Sequence, residues 1–242
     1  MTDGHPGSAE PGASASAIEA EVGRRGSVPQ RVRSIEAAAV AGIAFAALAA
    51  VAISLLSSFP DLESDEQLTD WFSDTGNQTT MIIGCNLVAI SSIMFLWFVA
   101  VIRRRLGDLE DRFFGTVFLG SALAYVATWM GYGAALAAPA AAMAHLDGAT
   151  VTTSSATNSV GLGAAFLLMI GPRIQAVFVL VTSTLIMRSK VLPAWLAIVG
   201  YIAALGMLVL PLIAEPLGLG FPVWVFLVSV VILVVRPHPA GQ

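Results

Sequence analysis

The sequence predicts an all-α, polytopic membrane protein with six transmembrane helices. Three observations predict it. Of 242 residues, 57% are apolar and only 12% are charged, against about 25% charged in a soluble domain. Six stretches are apolar over about 20 residues, the length needed to cross the hydrocarbon of a bilayer. The basic residues collect at alternate ends of those stretches.

The first span runs over about 37–59, rich in Ala with Leu and Val, and stops at Pro60. The second covers 81–102. The third covers 113–138 and ends at Pro139. The fourth, 160–187, is long and contains Gly171-Pro172-Arg173. The fifth covers 194–213, with Pro193 suited to a first helical turn. The sixth, 217–235, is the weakest, since Gly218, Gly220 and Pro222 interrupt its start. If its helix begins at Pro222, it reaches only about 21 Å and needs bilayer thinning or an irregular lead-in.

With six spans, Arg24, Arg25, Arg31, Arg33, Arg103, Arg104, Arg105, Arg112, Arg188, Lys190 and Arg236 all fall on one side. Only Arg173 lies inside a span. The positive-inside rule then places both termini in the cytoplasm. Residues 1–33 form a Gly/Ala/Ser/Pro-rich tail that cannot bury a core and is expected to be disordered. Residues 34–236 form the transmembrane domain, and 237–242 a second cytoplasmic tail. The first apolar segment is too long for a cleavable signal. Eleven arginines against one lysine, with abundant Ala and Gly, suggest a GC-rich genome and a bacterial cell (inner) membrane.

Two connections on the other side are long. In 60–80, Ser64-Asp65-Glu66-Gln67 has the capping-box pattern. Leu68, Trp71 and Phe72 follow at helical spacing, so a short amphipathic helix over Asp65–Ser73 is expected at the membrane interface. In 139–159, a helix extension followed by a flexible polar loop is expected.

Net charge −4 excludes a basic nucleic-acid binder, so the expected partners are the lipid bilayer and a membrane-protein partner or a second copy. One cysteine excludes a disulfide framework. The three histidines, His5, His145 and His238, lie outside the spans, which excludes a bis-histidine haem in the slab. No metal site, cofactor or catalytic residue is assigned, and neither a Walker loop nor a Gly-x-Ser-x-Gly elbow occurs. His145 and Asp147 alone make a weak dyad.

Arg173 is the sharpest feature. A charge at mid-bilayer is costly unless paired or hydrated. A Gly-Pro break beneath it would resemble the discontinuous helices of transporters. Three readings stand open: a ligand site, a structural hub, or an arginine that snorkels to the surface. Glu215, between Pro211 and Pro216, is its candidate partner. Asn86 and Gln175 are the other candidate pore or ligand residues. The remaining intramembrane Ser and Thr residues read as packing groups.

Several stretches carry a resemblance. They are Phe95-Leu96-Trp97-Phe98 leading to Arg103-Arg104-Arg105-Leu106, then Asp111-Arg112-Phe113-Phe114, Leu192-Pro193-Ala194-Trp195-Leu196 with Gly200-Tyr201, and Phe221-Pro222-Val223-Trp224 with Ser229. Together they resemble a family of small six-span integral membrane proteins of GC-rich Gram-positive bacteria, a family of unknown function. The resemblance covers the second to the sixth span. It implies a six-span bundle in the cell membrane and brings no activity or site residue. The expected role is an accessory or scaffold membrane protein that packs with a partner or itself. The alternatives are a small-ligand transporter or sensor using Arg173, and an outer-face lipid or envelope enzyme.

Overall fold

The computed structural model describes residues 38–59, 64–106, 112–189, 192–209 and 219–234. The elements are α1 (Ala38–Leu56), α2 (Asp65–Ser73), α3 (Thr75–Leu106), α4 (Arg112–His145), α5 (Thr153–Ala164), a π-helical turn (Ala165–Ile170), α6 (Gly171–Ser189), α7 (Ala194–Val209) and α8 (Gly220–Val234). No strand occurs among the described residues. Four helices are long and apolar enough to cross a membrane: Ala38–Leu56, Thr75–Arg103, Phe113–His145 and the continuous Thr153–Ser189. α7 and α8 are apolar but shorter, at 16 and 15 residues. Of the expected fifth and sixth spans, 210–218 lies outside the described residues, as do Glu215 and the tails 1–33 and 237–242.

Local chemistry explains the boundaries. Ser64 Oγ accepts from Gln67 N at 3.3 Å and starts α2, satisfying a donor that the first turn leaves unpaired. Leu68 and Phe72 on its apolar face are fully buried. Asp74 then accepts from Gly76 N at 2.6 Å and Asn77 N at 3.1 Å, which starts α3 six residues before the expected Met81. Asn77 and Gln78 reach back to the carbonyls of Trp71 and Phe72 and close the end of α2.

Proline ends neither helix. α4 runs through Pro139 into the expected extension, as far as His145. The ring removes one backbone donor there, but Leu136, Ala137 and Ala140 around it are buried in the packing of α4 on α5 and α2. That tertiary packing outweighs a local penalty of about 3 kcal/mol. Nor does Gly171-Pro172 break the fourth span. The chain is helical from Thr153 to Ser189, and the strain is taken up by the π-turn just ahead of the proline. The polar run expected as a flexible loop is likewise ordered: Thr152 and Ser155 form a reciprocal capping box that starts α5.

α3 and α4 form one antiparallel hairpin, α6 and α7 another, and α4 packs against α6. Arg103 and Arg188 mark one end of the bundle, where the Arg188 guanidinium lies 4.7 Å from the Phe114 ring. Helix α2, His145 and the start of α5 mark the far end.

The centre is aromatic. Phe221, in the first turn of α8, meets Tyr125 at 4.5 Å, Phe95 at 5.5 Å, Phe178 at 5.8 Å and Phe45 at 6.1 Å between ring centroids. Five helices therefore converge on one side chain. Such ring pairs add about 0.5–1.5 kcal/mol each beyond burial. Phe178 is ten residues from Arg188, about 15 Å along the helix. The first turn of α8 thus packs about midway along α6.

Small residues let the helices close up. The Ser183 hydroxyl fills the space that a β-carbon of Gly200 would take, and Ser229 does the same over Gly42. These contacts seat α7 on α6 and α1 on α8.

Candidate functional site: a polar cavity beside the π-turn

Helix α4 carries Tyr125, Thr128, Trp129 and Tyr132 at spacings of three and four, which puts all four on one face. That face looks toward the π-turn. Between them lies a small cavity of about 10 Å³, also lined by Phe166, Leu167, Gly171 and Gln175. The volume suits about one water molecule.

The lining has a polar part and a satisfied part. Thr128 donates to the Tyr125 carbonyl at 2.8 Å, and Trp129 Nε1 donates to Ser91 Oγ at 2.9 Å. Tyr125, Tyr132 and Gln175 are 1%, 4% and 4% exposed. Among the described residues, none of the three side chains makes a hydrogen bond. Two tyrosines and a glutamine with hydrogen-bonding capacity to spare therefore line one small space.

The π-turn adds to this. The Gly171 N–H reaches back five residues to the Phe166 carbonyl. The next residue, Pro172, has no N–H. In the π pattern it would have served Leu167, and in the α pattern Leu168; it serves neither.

The sequence candidates separate in space. Gln175 is buried at the cavity. Arg173, two residues earlier, is exposed on the outside of the bundle, and its Nη1 donates to the Met169 carbonyl of its own helix. Asn86 is also exposed and donates to the Ile82 carbonyl at 2.8 Å. Arg173 and Asn86 therefore do not join Gln175 in one site. Glu215 lies outside the described residues. The sequence reading passed over Tyr125 and Tyr132; their helical spacing with Thr128 and Trp129 was the available signal. Among the described residues, no group of three or more His, Cys, Asp or Glu could hold a metal ion.

A second polar arrangement pins the far end. Asp65 on α2 accepts from Thr153 N at 2.6 Å and from Thr153 Oγ1 at 2.5 Å, which ties it to the first residue of α5. These bonds hold the Asp65 carboxyl below its ordinary pKa of 3.8, the side-chain bond contributing most. Beside it, Thr69 donates to the Val151 carbonyl at 3.1 Å.

The described helices define a membrane-embedded, all-helical bundle with a small pocket lined by Tyr125, Tyr132 and Gln175. Comparison with protein-family models, with curated proteins and with solved structures found no match.

Proposed function

We propose that this chain is an accessory or scaffold protein of the bacterial cell membrane, built to hold out a rigid helical cap to a partner or to a second copy. The observation that carries this reading is the stapled far end. Leu68 and Phe72 of α2 and Val151 and Ala156 beside and within α5 are buried, as is Ala140 toward the end of α4. The Asp65–Thr153 and Thr69–Val151 bonds join these pieces.

Helix lengths support a cap that stands clear of the bilayer. From Phe114, at the level of Arg188, about 30 Å of hydrocarbon takes α4 to about residue 134. The remaining 11 residues to His145 then extend about 16 Å beyond. The Arg173 guanidinium, bonded at Met169, lies about 28 Å along the helix from Arg188. The two arginines fit opposite boundaries of one slab, which favours a snorkelling Arg173 over a ligand-reading charge at mid-depth. With the basic end inside, the cap faces outward. It carries exposed Glu66, Asp70, Asp74 and Asp147, and exposed Ser154, Ser155, Thr157 and Asn158 on α5.

The test is site-specific photocrosslinking in native membranes. Crosslinkers at Asp70 and Asn158 on the cap are expected to give a discrete protein adduct, identified by mass as a partner or as this chain. The same crosslinker at Ile202, exposed on α7, is expected to capture lipid. Lipid-only capture at all three positions, together with solute flux in liposomes that is lost in Arg173→Ala, overturns the scaffold reading in favour of transport.

A further inference from the structure

We infer that the cavity between α4 and the π-turn is a structural water site, and that one water held by Gln175, Tyr125 and Tyr132 supplies the hydrogen-bond donor that Pro172 takes away from its helix. The cavity has the volume of about one water. A buried water needs two to four polar partners, and three polar side chains that make no hydrogen bond among the described residues line this space. Gln175 offers a donor and an acceptor, and each phenol offers the same. Leu167, whose carbonyl Pro172 leaves without a partner in the π pattern, lines the same space. Gly171, Pro172 and Gln175 are buried against α4 near the outer boundary of the slab, where a held water can repair such a loss. Pro and Gly in spanning helices persist where a local π adjustment and ordered water repair it. Both repairs meet at this point. The proline, the π-turn and the polar face of α4 are then one unit rather than three irregularities.

The experiment uses the full chain in lipid bilayers with glutamine side-chain amides labelled with nitrogen-15. The chain has five glutamines: Gln30, Gln67, Gln78, Gln175 and Gln242. Replacing the other four one at a time assigns Gln175 without disturbing the cavity. Water-edited solid-state NMR is expected to show magnetisation transfer from water to the Gln175 amide protons, although the residue is 4% exposed. Transfer from acyl-chain protons alone overturns the inference.

A double-mutant cycle then tests the link to the proline. Gln175→Leu is expected to lower the melting temperature in the wild-type background. In Pro172→Ala, which restores the backbone donor, it is expected to lower it by less than half as much. Equal shifts in the two backgrounds overturn the link between water and proline. If Gln175→Leu does not fold, Tyr132→Phe replaces it in the same cycle with the same expectations.

Discussion

Ser183 Oγ lies where a β-carbon of Gly200 would have to be, with Trp224 Nε1 3.3 Å from that same point. Three helices, α6, α7 and α8, thus meet at a residue with no side chain. Both polar atoms are buried without a hydrogen-bond partner among the described residues, so the contact rests on close packing. Adding a methyl group here must displace the Ser183 side chain or a helix. Gly200→Ala is expected to destabilise the bundle by about 1–3 kcal/mol. The melting temperature in mild detergent checks this. Ser183→Gly in the same chain should recover most of the loss, because it empties the contested space. A Gly200→Ala variant as stable as wild type would contradict the packing described.

The aromatic centre predicts a larger loss. Phe221 is fully buried among rings from α1, α3, α4 and α6. Phe221→Ala is expected to cost about 3–5 kcal/mol, while Phe226→Ala, on the exposed side of α8, should cost much less. Thermal unfolding of the two variants side by side measures the difference.

The Asp65 latch predicts a pH dependence with a definite sign. Its folded pKa lies below 3.8, so the folded state favours the carboxylate. The stabilisation is present above 3.8, the unfolded value, and is lost as pH falls through the lower folded value. Limited proteolysis near Thr153 should therefore accelerate only below about pH 4. Asp65→Asn should show the faster cleavage already at neutral pH and no further step on acidification. Because Asp65 lies at the surface, the global melting temperature should move little.

Arg173 predicts a labelling pattern. In a Cys85→Ser background, Arg173→Cys is expected to insert normally and to sit near the boundary opposite Arg188. A membrane-impermeant maleimide should then reach Arg173→Cys from the outer side and Arg188→Cys only from the inner side. The same reagent applied to Glu215→Cys tests the six-span count, which requires 194–235 to cross twice. Reaction of the Glu215→Cys thiol from outside supports six crossings; protection from both sides favours a pair of helices that enters and returns.

Much of the fold was legible in the chain. Apolar length and the placement of arginine marked six helical segments, and the Ser64–Gln67 spacing marked α2 with its boundaries. These signals are local: one side chain caps one turn, and one run of apolar residues cannot stay in water. The candidate site was read less well. Arg173, Asn86 and Gln175 stood out as polar residues in apolar runs, but residue type does not say which way a helix faces. Gln175 faces inward and the other two outward, a difference set by rotation of a helix about its axis.

The amino-acid sequence by itself determined that this is an all-helical membrane protein with a basic end and a short amphipathic helix, Asp65–Ser73, at the far end, because hydrophobicity, charge and capping act over a few residues. Only the tertiary structure decided that Pro172 sits inside a continuous helix. It also brought Tyr125, Tyr132 and Gln175 to one cavity and placed Ser183 over Gly200. The physical reason is that each outcome depends on what a distant helix supplies. Packing offsets a lost backbone bond, a π-turn redistributes another, and a bare glycine matters only when a neighbour fills its space.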